Sequence, residues 1–146
     1  MDANLDQRSE AKWKEAALGG FQIVPDILLK KQVDLGLTPT EMLVLINIMM
    51  HWWYADQRPF PRTTTIATRM GSDQRTVQRA VRKLQESGLV ERVVEELADG
   101  TKRTVCDLSG LIAKLNQLVT TDKDYLARKV KRDGFGISRG ANEVPF

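Results

Sequence analysis

A chain of 146 residues, 42% hydrophobic and 28% charged, has the make-up of one soluble domain with a modest core and tails. The net charge of +3 and the pI near 9.1 lean basic, too mildly to define a partner until the charge is placed along the chain. Cys106 is the only cysteine, so an internal disulfide is excluded and a reducing cytoplasm is the expected setting.

The opening stretch, MDANLDQRSEAKWK, lacks an apolar core behind a basic start and does not read as a signal peptide. Residues 1–20 read as a polar extension with a short helix over 9–18, capped by Ser9 and ended by Gly19-Gly20. Residues 21–25 are expected to be extended, because the residue before Pro25 avoids the helical region. A second short helix spans 26–33. Residues 38–55 carry the strongest helix signature: Thr38 at the cap, Pro39 at the first helical position and Glu41 three residues after the cap. Leu43, Ile46, Met50 and Trp53 follow helical spacing, with Met42, Leu45 and Met49 widening the stripe. The apolar run 42–50, broken by Asn47, is far short of the roughly 20 residues of a membrane span.

After the break at 56–61, which offers one short strand at 59–62, come two short helices joined at Gly71-Ser72. Thr63 or Thr64 is expected to cap the first, which buries Ile66, Ala67 and Met70. Ser72 is expected to cap the second, whose apolar points are Val77, Ala80, Val81 and Leu84, all on one stripe. Across residues 62–83, Arg62, Arg69, Arg75, Arg79, Arg82 and Lys83 stand against the single acid Asp73.

The period then changes. Two valine-rich strands flank Asp99-Gly100, a hairpin turn signal. With those two residues as the turn, Glu96 faces Arg103, Val94 faces Val105 and Arg92 faces Asp107. Valines on both faces leave open which side packs on the core. Residues 109–119 form an amphipathic helix with Leu111, Ile112, Leu115, Leu118 and Val119. Residues 120–146 are polar and basic; they continue helically through Tyr125-Leu126 and then read as a flexible tail.

The order of helix, two-helix turn unit and β-hairpin resembles a winged helix-turn-helix domain, mainly α with a small β-hairpin (α+β); the resemblance covers about residues 38–106, within an expected domain of residues 21–119. The residues carrying the resemblance are Thr38-Pro39-Thr40-Glu41, Phe60-Pro61 before Thr63-Thr64, and Ile66-Ala67 with Met70-Gly71-Ser72. The run from Arg75 through Leu84 to Gly88-Leu89-Val90 matches as well. The nearest likenesses are winged-helix domains of bacterial, phage and plasmid replication proteins and mobile-element regulators. The resemblance implies a DNA-binding protein, a transcriptional regulator or a replication or partition protein; a protein–protein adaptor is the alternative of another class.

On the helix 72–86, removing the apolar stripe leaves Gln74, Arg75, Gln78, Arg79, Arg82 and Lys83 outward. Arginine clasps guanine O6 and N7, and glutamine clasps adenine N6 and N7, so Gln74, Arg75, Thr76, Gln78 and Arg79 are the candidate base readers. Arg62, Thr63, Thr64, Thr65, Arg69, Ser72, Arg82 and Lys83 are the candidate phosphate contacts. Lys102 and Arg103 offer a wing contact, opposed by Glu95, Glu96 and Asp99. One such helix covers few base pairs, which calls for a homodimer on a two-fold site or for repeated sites. Leu111, Ile112, Leu115 and Leu118, with Trp13 and Leu18, either form its surface or close the core. Residues 128–132 add phosphate contacts or are a solvated tail.

His51 reads as a structural helix-end residue and Cys106 as an inert small hydrophobe. Gly134 and Gly136 lack the Lys-Ser/Thr of a phosphate loop. No catalytic set, metal-ligand spacing or cofactor motif is evident, so the expectation is a non-enzyme with double-stranded DNA as partner and no membrane role.

Overall fold

Thr38 begins the central helix as its residues dictate. Its Oγ1 accepts the Glu41 backbone N–H at 3.2 Å, and Glu41 Oε1 accepts the Thr38 N–H at 3.3 Å, a reciprocal capping box with Pro39 at the first position. The computed structural model describes residues 3–52, 57–59 and 61–139. In chain order its helices are α1 (Ala3–Trp13), α2 (Glu15–Leu18), α3 (Asp26–Lys30), α4 (Pro39–Met49), α5 (Thr63–Met70) and α6 (Gln74–Glu86). Strands β1 (Glu91–Glu96) and β2 (Lys102–Asp107) form an antiparallel hairpin, followed by α7 (Ser109–Val119) and α8 (Lys123–Arg139).

One hydrophobic core runs from α3 through α4, α5 and α6 to α7. α4 and α5 both pack against α6. Val44, Leu45, Ile48, Ile66, Val77, Leu84 and Leu89 are fully buried. At about 1.5–3 kcal/mol for each large apolar side chain removed from water, this layer dominates the stabilisation of the fold.

Several sequence expectations shift. The face of α4 turned inward is Met42, Val44, Leu45, Ile48 and Met49, while Leu43 and Met50 are 47% and 43% exposed. The run is apolar all round, so its periodicity leaves the rotation undetermined, and packing on α6 decides it. α4 ends at Met49 rather than at residue 55 and turns through His51. Trp52 is half-buried against the core; Trp53, Tyr54 and Ala55 lie outside the described residues, as do Phe60 and residues 140–146. At the N-terminus the helix starts six residues before Ser9, and a break at Lys14 (φ 58°) separates α1 from α2. Residues 31–36 form turns, so α3 stops at Lys30.

The hairpin register differs by one residue from the expected one. Glu95 faces Arg103, Val93 faces Val105 and Arg92 faces Cys106. The loop has three residues, 98–100. The Gly100 N–H donates to Leu97 O at 2.9 Å, and the Leu97 N–H donates to Thr101 O at 2.7 Å. Gly100 sits at φ 84°, the left-handed position that closes a three-residue hairpin with a bulge. Asp99 Oδ1 accepts the Thr101 N–H at 3.0 Å and tightens the same turn. Neither expected charge pair forms: Arg103 instead donates to Glu95 Oε1 through Nε at 3.0 Å and Nη2 at 2.7 Å, and Asp107 faces Glu91. Both Val105 and Cys106 are buried, so β2 is covered on both faces there. Of the strand expected at 59–62, the described residues Pro59, Pro61 and Arg62 are in no strand, and Phe60 lies outside the described residues. A single bond from the Cys106 N–H to Pro59 O, 2.7 Å long, ties that segment to β2, with Arg58 Nη2 3.3 Å from Asp107 Oδ2.

α7 has the expected bounds. Its Gly110 lies against the turn after α6, where an added Cβ would stand 2.1 Å from Gly88 O. The Leu111 N–H reaches Leu89 O, and Lys114 Nζ donates to Ser87 O at the C-terminal end of α6. Leu111 and Leu115 are core residues, 3% and 8% exposed. They belong to the core that α7 closes, while Ile112 on the same helix is 40% exposed. The chain beyond residue 126 is helical where a tail was expected: α8 runs to Arg139, through Gly134 and Gly136. It starts where Asp122 Oδ2 accepts the Tyr125 N–H at 3.1 Å. Lys30 Nζ bridges Asp122 and Asp124, at 3.1 and 2.6 Å, joining α3 to this start.

Candidate nucleic-acid interface

α5 and α6 meet at a tight turn. Gly71 closes α5 in the left-handed region, φ 63°, which a side chain would strain. The cap of α6 is Asp73 rather than Ser72: Asp73 Oδ1 accepts the Thr76 N–H at 2.7 Å. The Thr76 backbone N–H and hydroxyl, helped by Arg79 and Arg75, hold the Asp73 carboxyl below the usual carboxylate range. An ionised cap also suits the positive end of the helix dipole. Ser72 Oγ is buried without a hydrogen-bond partner, so it is turned away from any phosphate. At α5 the N-cap is Arg62, with no side-chain cap bond, and Thr63 and Thr64 lie within the first turn instead of capping it.

α6 is divided cleanly. Val77, Ala80, Val81 and Leu84 are buried. Gln74, Arg75, Gln78, Arg79, Arg82 and Lys83 are all exposed, so the surface expected to read bases is free to solvent along its length. Thr76 is half-buried and engaged in the cap. Gln74 Nε2 donates to Thr63 Oγ1 at 3.1 Å, which brings the first turns of α5 and α6 together. Arg62 and Thr64 are exposed there and Thr65 is half-buried. An uncapped helix start beside an arginine is a chemically suitable anion cradle next to the exposed face of α6.

Arg69, at the end of α5, donates from Nη1 to His51 Nε2 at 3.1 Å. Burial first, and the Arg69 charge second, push the His51 pKa below its ordinary value, so the ring accepts this bond in its neutral form. His51 therefore holds a residue that was expected to face phosphate. On the wing, Lys102 and Thr101 are exposed, while Arg103 is half-buried and bound to Glu95. The structure thus brings Gln74, Arg75, Gln78, Arg79, Arg62 and Thr63 together at one end of the α5–α6 unit and leaves Lys102 and Arg103 on the separate hairpin.

Two features were missed in the sequence. Asp73, three residues before Thr76, satisfies the N-cap pattern as well as Ser72 does, and its carboxylate is the stronger acceptor. The Gln74–Thr63 bond joins residues eleven apart in different helices and leaves no local signature. Among the described residues no group of three or more His, Cys, Asp or Glu side chains is placed to hold a metal ion. Burial raises the pKa of the Cys106 thiol, which keeps it protonated.

A helix-turn-helix followed by a hairpin, with the second helix basic and polar outward, is the arrangement of a winged helix-turn-helix fold. Residues 35–90 match the family model described as a helix-turn-helix domain, which spans α4, α5 and α6. Among solved structures, the chain is similar to a possible transcriptional regulator from Methanosarcina mazei Go1, at 21% identity over 73% of this chain and 84% of that one, with a TM-score of 0.43. It is also similar to the transcriptional regulator PA3341, at 20% identity over 96% of this chain and 98% of that one, with a TM-score of 0.39. Among curated proteins there is no significant match.

Proposed function

We propose that the protein is a transcriptional regulator that binds a specific duplex DNA site by laying the first two turns of α6 in the major groove. The exposed row of Gln74, Arg75, Gln78 and Arg79, opposite a fully buried stripe on the same helix, carries this reading. An α-helix fits the width of the major groove, and the bidentate chemistry of arginine and glutamine suits guanine and adenine edges. The start of α5, with Arg62, Thr63 and Thr64, contacts phosphate and sets the register; Arg82 and Lys83 extend that contact along the backbone. Lys102 reaches the flanking backbone from the wing. Two α6 helices are needed to cover a useful site, so the binding unit is a homodimer on a two-fold sequence.

Two DNA experiments test the proposal together. Fragments selected from random duplexes by the purified protein will share a short motif. Binding to that motif, followed by gel shift across a salt series, will weaken steeply with salt, because each neutralised phosphate releases counterions. A protein that ignores duplexes at low ionic strength sinks the reading and leaves the adaptor alternative. Among the described residues no helix is long and apolar enough to cross a membrane.

A further inference from the structure

Thr63 is the first residue of α5 and Gln74 the first of α6, and the two side chains meet: Gln74 Nε2 donates to Thr63 Oγ1 at 3.1 Å. The bodies of the helices hold this meeting in place. α5 packs against α6. Ile66, three residues beyond Thr63, is 1% exposed, and Val77, three residues beyond Gln74, is fully buried. Gly71 sets the bend between the helices, and Asp73 caps α6 directly before Gln74. Thr63 is half-buried, while Gln74 is exposed on the outward row of α6.

We infer that Thr63 is a positioning residue that fixes the Gln74 amide to read adenine, so that one base of the site is chosen from the neighbouring helix. The inference rests on the groove reading proposed above and adds the identity of one base to it. A glutamine amide has two ends, an oxygen that accepts and an NH2 that donates twice, and a half-turn about its last side-chain bond exchanges them. In the major groove adenine offers an acceptor at N7 and a donor at N6, whereas guanine offers acceptors at both N7 and O6. An amide that presents its oxygen beside one N–H therefore suits adenine. An amide that presents both N–H bonds suits guanine. With one Nε2 hydrogen on Thr63, Gln74 is left with Oε1 and its second hydrogen, the complement of adenine. The reversed amide would put Oε1 against Thr63 and would need the hydroxyl to donate to it. A hydroxyl carries one proton. At the start of α5, where Arg62 supplies no side-chain cap bond, the phosphate of the proposed complex takes that proton, because phosphate only accepts. The phosphate thus keeps Thr63 an acceptor toward Gln74, and Thr63 keeps the amide in the orientation that discriminates against guanine.

Affinities of the full chain for the selected duplex and for its adenine and guanine variants at each position test this. The wild type will favour adenine over guanine about tenfold or more at one position, the discrimination of a good bidentate pair. Gln74→Ala will abolish that preference and so identify the position. Thr63→Val and Thr63→Ala, which lack the hydroxyl, will bring adenine and guanine near parity there and leave the preferences at other positions intact. Thr63→Ser, which keeps the hydroxyl, will retain the adenine preference. In the Gln74→Ala background, Thr63→Val will alter no base preference further. A merely structural role for Thr63 predicts instead an equal loss on every sequence. Circular dichroism melts will confirm that each variant is folded. Guanine favoured at the Gln74 position, hydroxyl-free variants that keep the adenine preference, or a Thr63→Ser variant that loses it would each overturn the inference. If Arg75→Ala and Gln78→Ala relax their own base positions while Thr63→Val relaxes none, this inference falls and the groove reading stands. A wild type with no base preference at any position removes the groove reading and this inference with it.

Discussion

Gln74 on α6 donates to the Thr63 hydroxyl on α5 at 3.1 Å, so the surfaces proposed to face bases and phosphates share one hydrogen bond. This coupling predicts non-additive effects on DNA affinity. Thr63→Ala and Gln74→Ala together will cost less than the sum of the two, with a coupling of about 0.5–1.5 kcal/mol, the net worth of one such bond. A double-mutant cycle by fluorescence anisotropy measures it. Strict additivity would mean the bond is irrelevant when DNA is bound.

The exposed row on α6 separates two kinds of substitution. Arg75→Ala and Gln78→Ala will each lose about 1–3 kcal/mol on the selected site and relax preference at one base position. Arg62→Ala will weaken every sequence alike and lower the salt slope by about one. Affinities on the selected site and on single-base variants will show the difference. Equal behaviour of the three variants across sequences would displace α6 from the groove.

The cap of α6 distinguishes two neighbouring side chains. Asp73→Ala removes the acceptor of the Thr76 N–H and will lower the melting temperature by several degrees. Ser72→Ala removes a buried hydroxyl that has no partner and will leave stability unchanged or raise it. Thermal melts of the two variants will reverse this order only if Ser72 caps the helix.

Gly110→Ala is expected to be damaging although it sits in a helix, where alanine is normally favoured. The new Cβ would meet the Gly88 carbonyl oxygen at 2.1 Å, a backbone atom that cannot swing aside. Overpacking of this kind costs about 1–3 kcal/mol. Chemical denaturation will show a lower midpoint, where a solvent-facing helix glycine would show a higher one.

His51 links stability to pH. Its folded pKa lies below the ordinary histidine value, through burial first and Arg69 second. The unfolded chain therefore binds the proton more readily. The stabilisation is complete above the unfolded pKa and is lost as pH falls through that value toward the folded one. Denaturation midpoints measured downward from pH 7, above the range where carboxylates titrate, will fall for the wild type. His51→Gln, which offers no titrating ring, will show a flatter profile over that range.

Much of the candidate site was legible in local sequence. The four buried residues of α6 and its outward Gln/Arg row are read from the 3.6-residue period, because one helix must bury one stripe whatever it packs against. The capping box at Thr38 and Glu41 is equally local, involving residues three apart. The rotation of α4 was not legible, since a helix apolar on every side has no preferred face until a neighbour supplies one. Nor was the continuation of α8: the glycines at 134 and 136 argue against a helix one residue at a time.

The sequence by itself determined the order of elements, the helix-turn-helix and the two faces of α6, because each depends on periods and turn residues within a few positions. Tertiary structure alone decided the hairpin register, the inward face of α4, and the core role of Leu111 and Leu115. It also decided the meetings of Gln74 with Thr63, Gly110 with Gly88, and Lys30 with Asp122 and Asp124. These depend on how surfaces distant along the chain fit one another, and the energy of that fit is carried by pairs of residues, not by any one of them in its local setting.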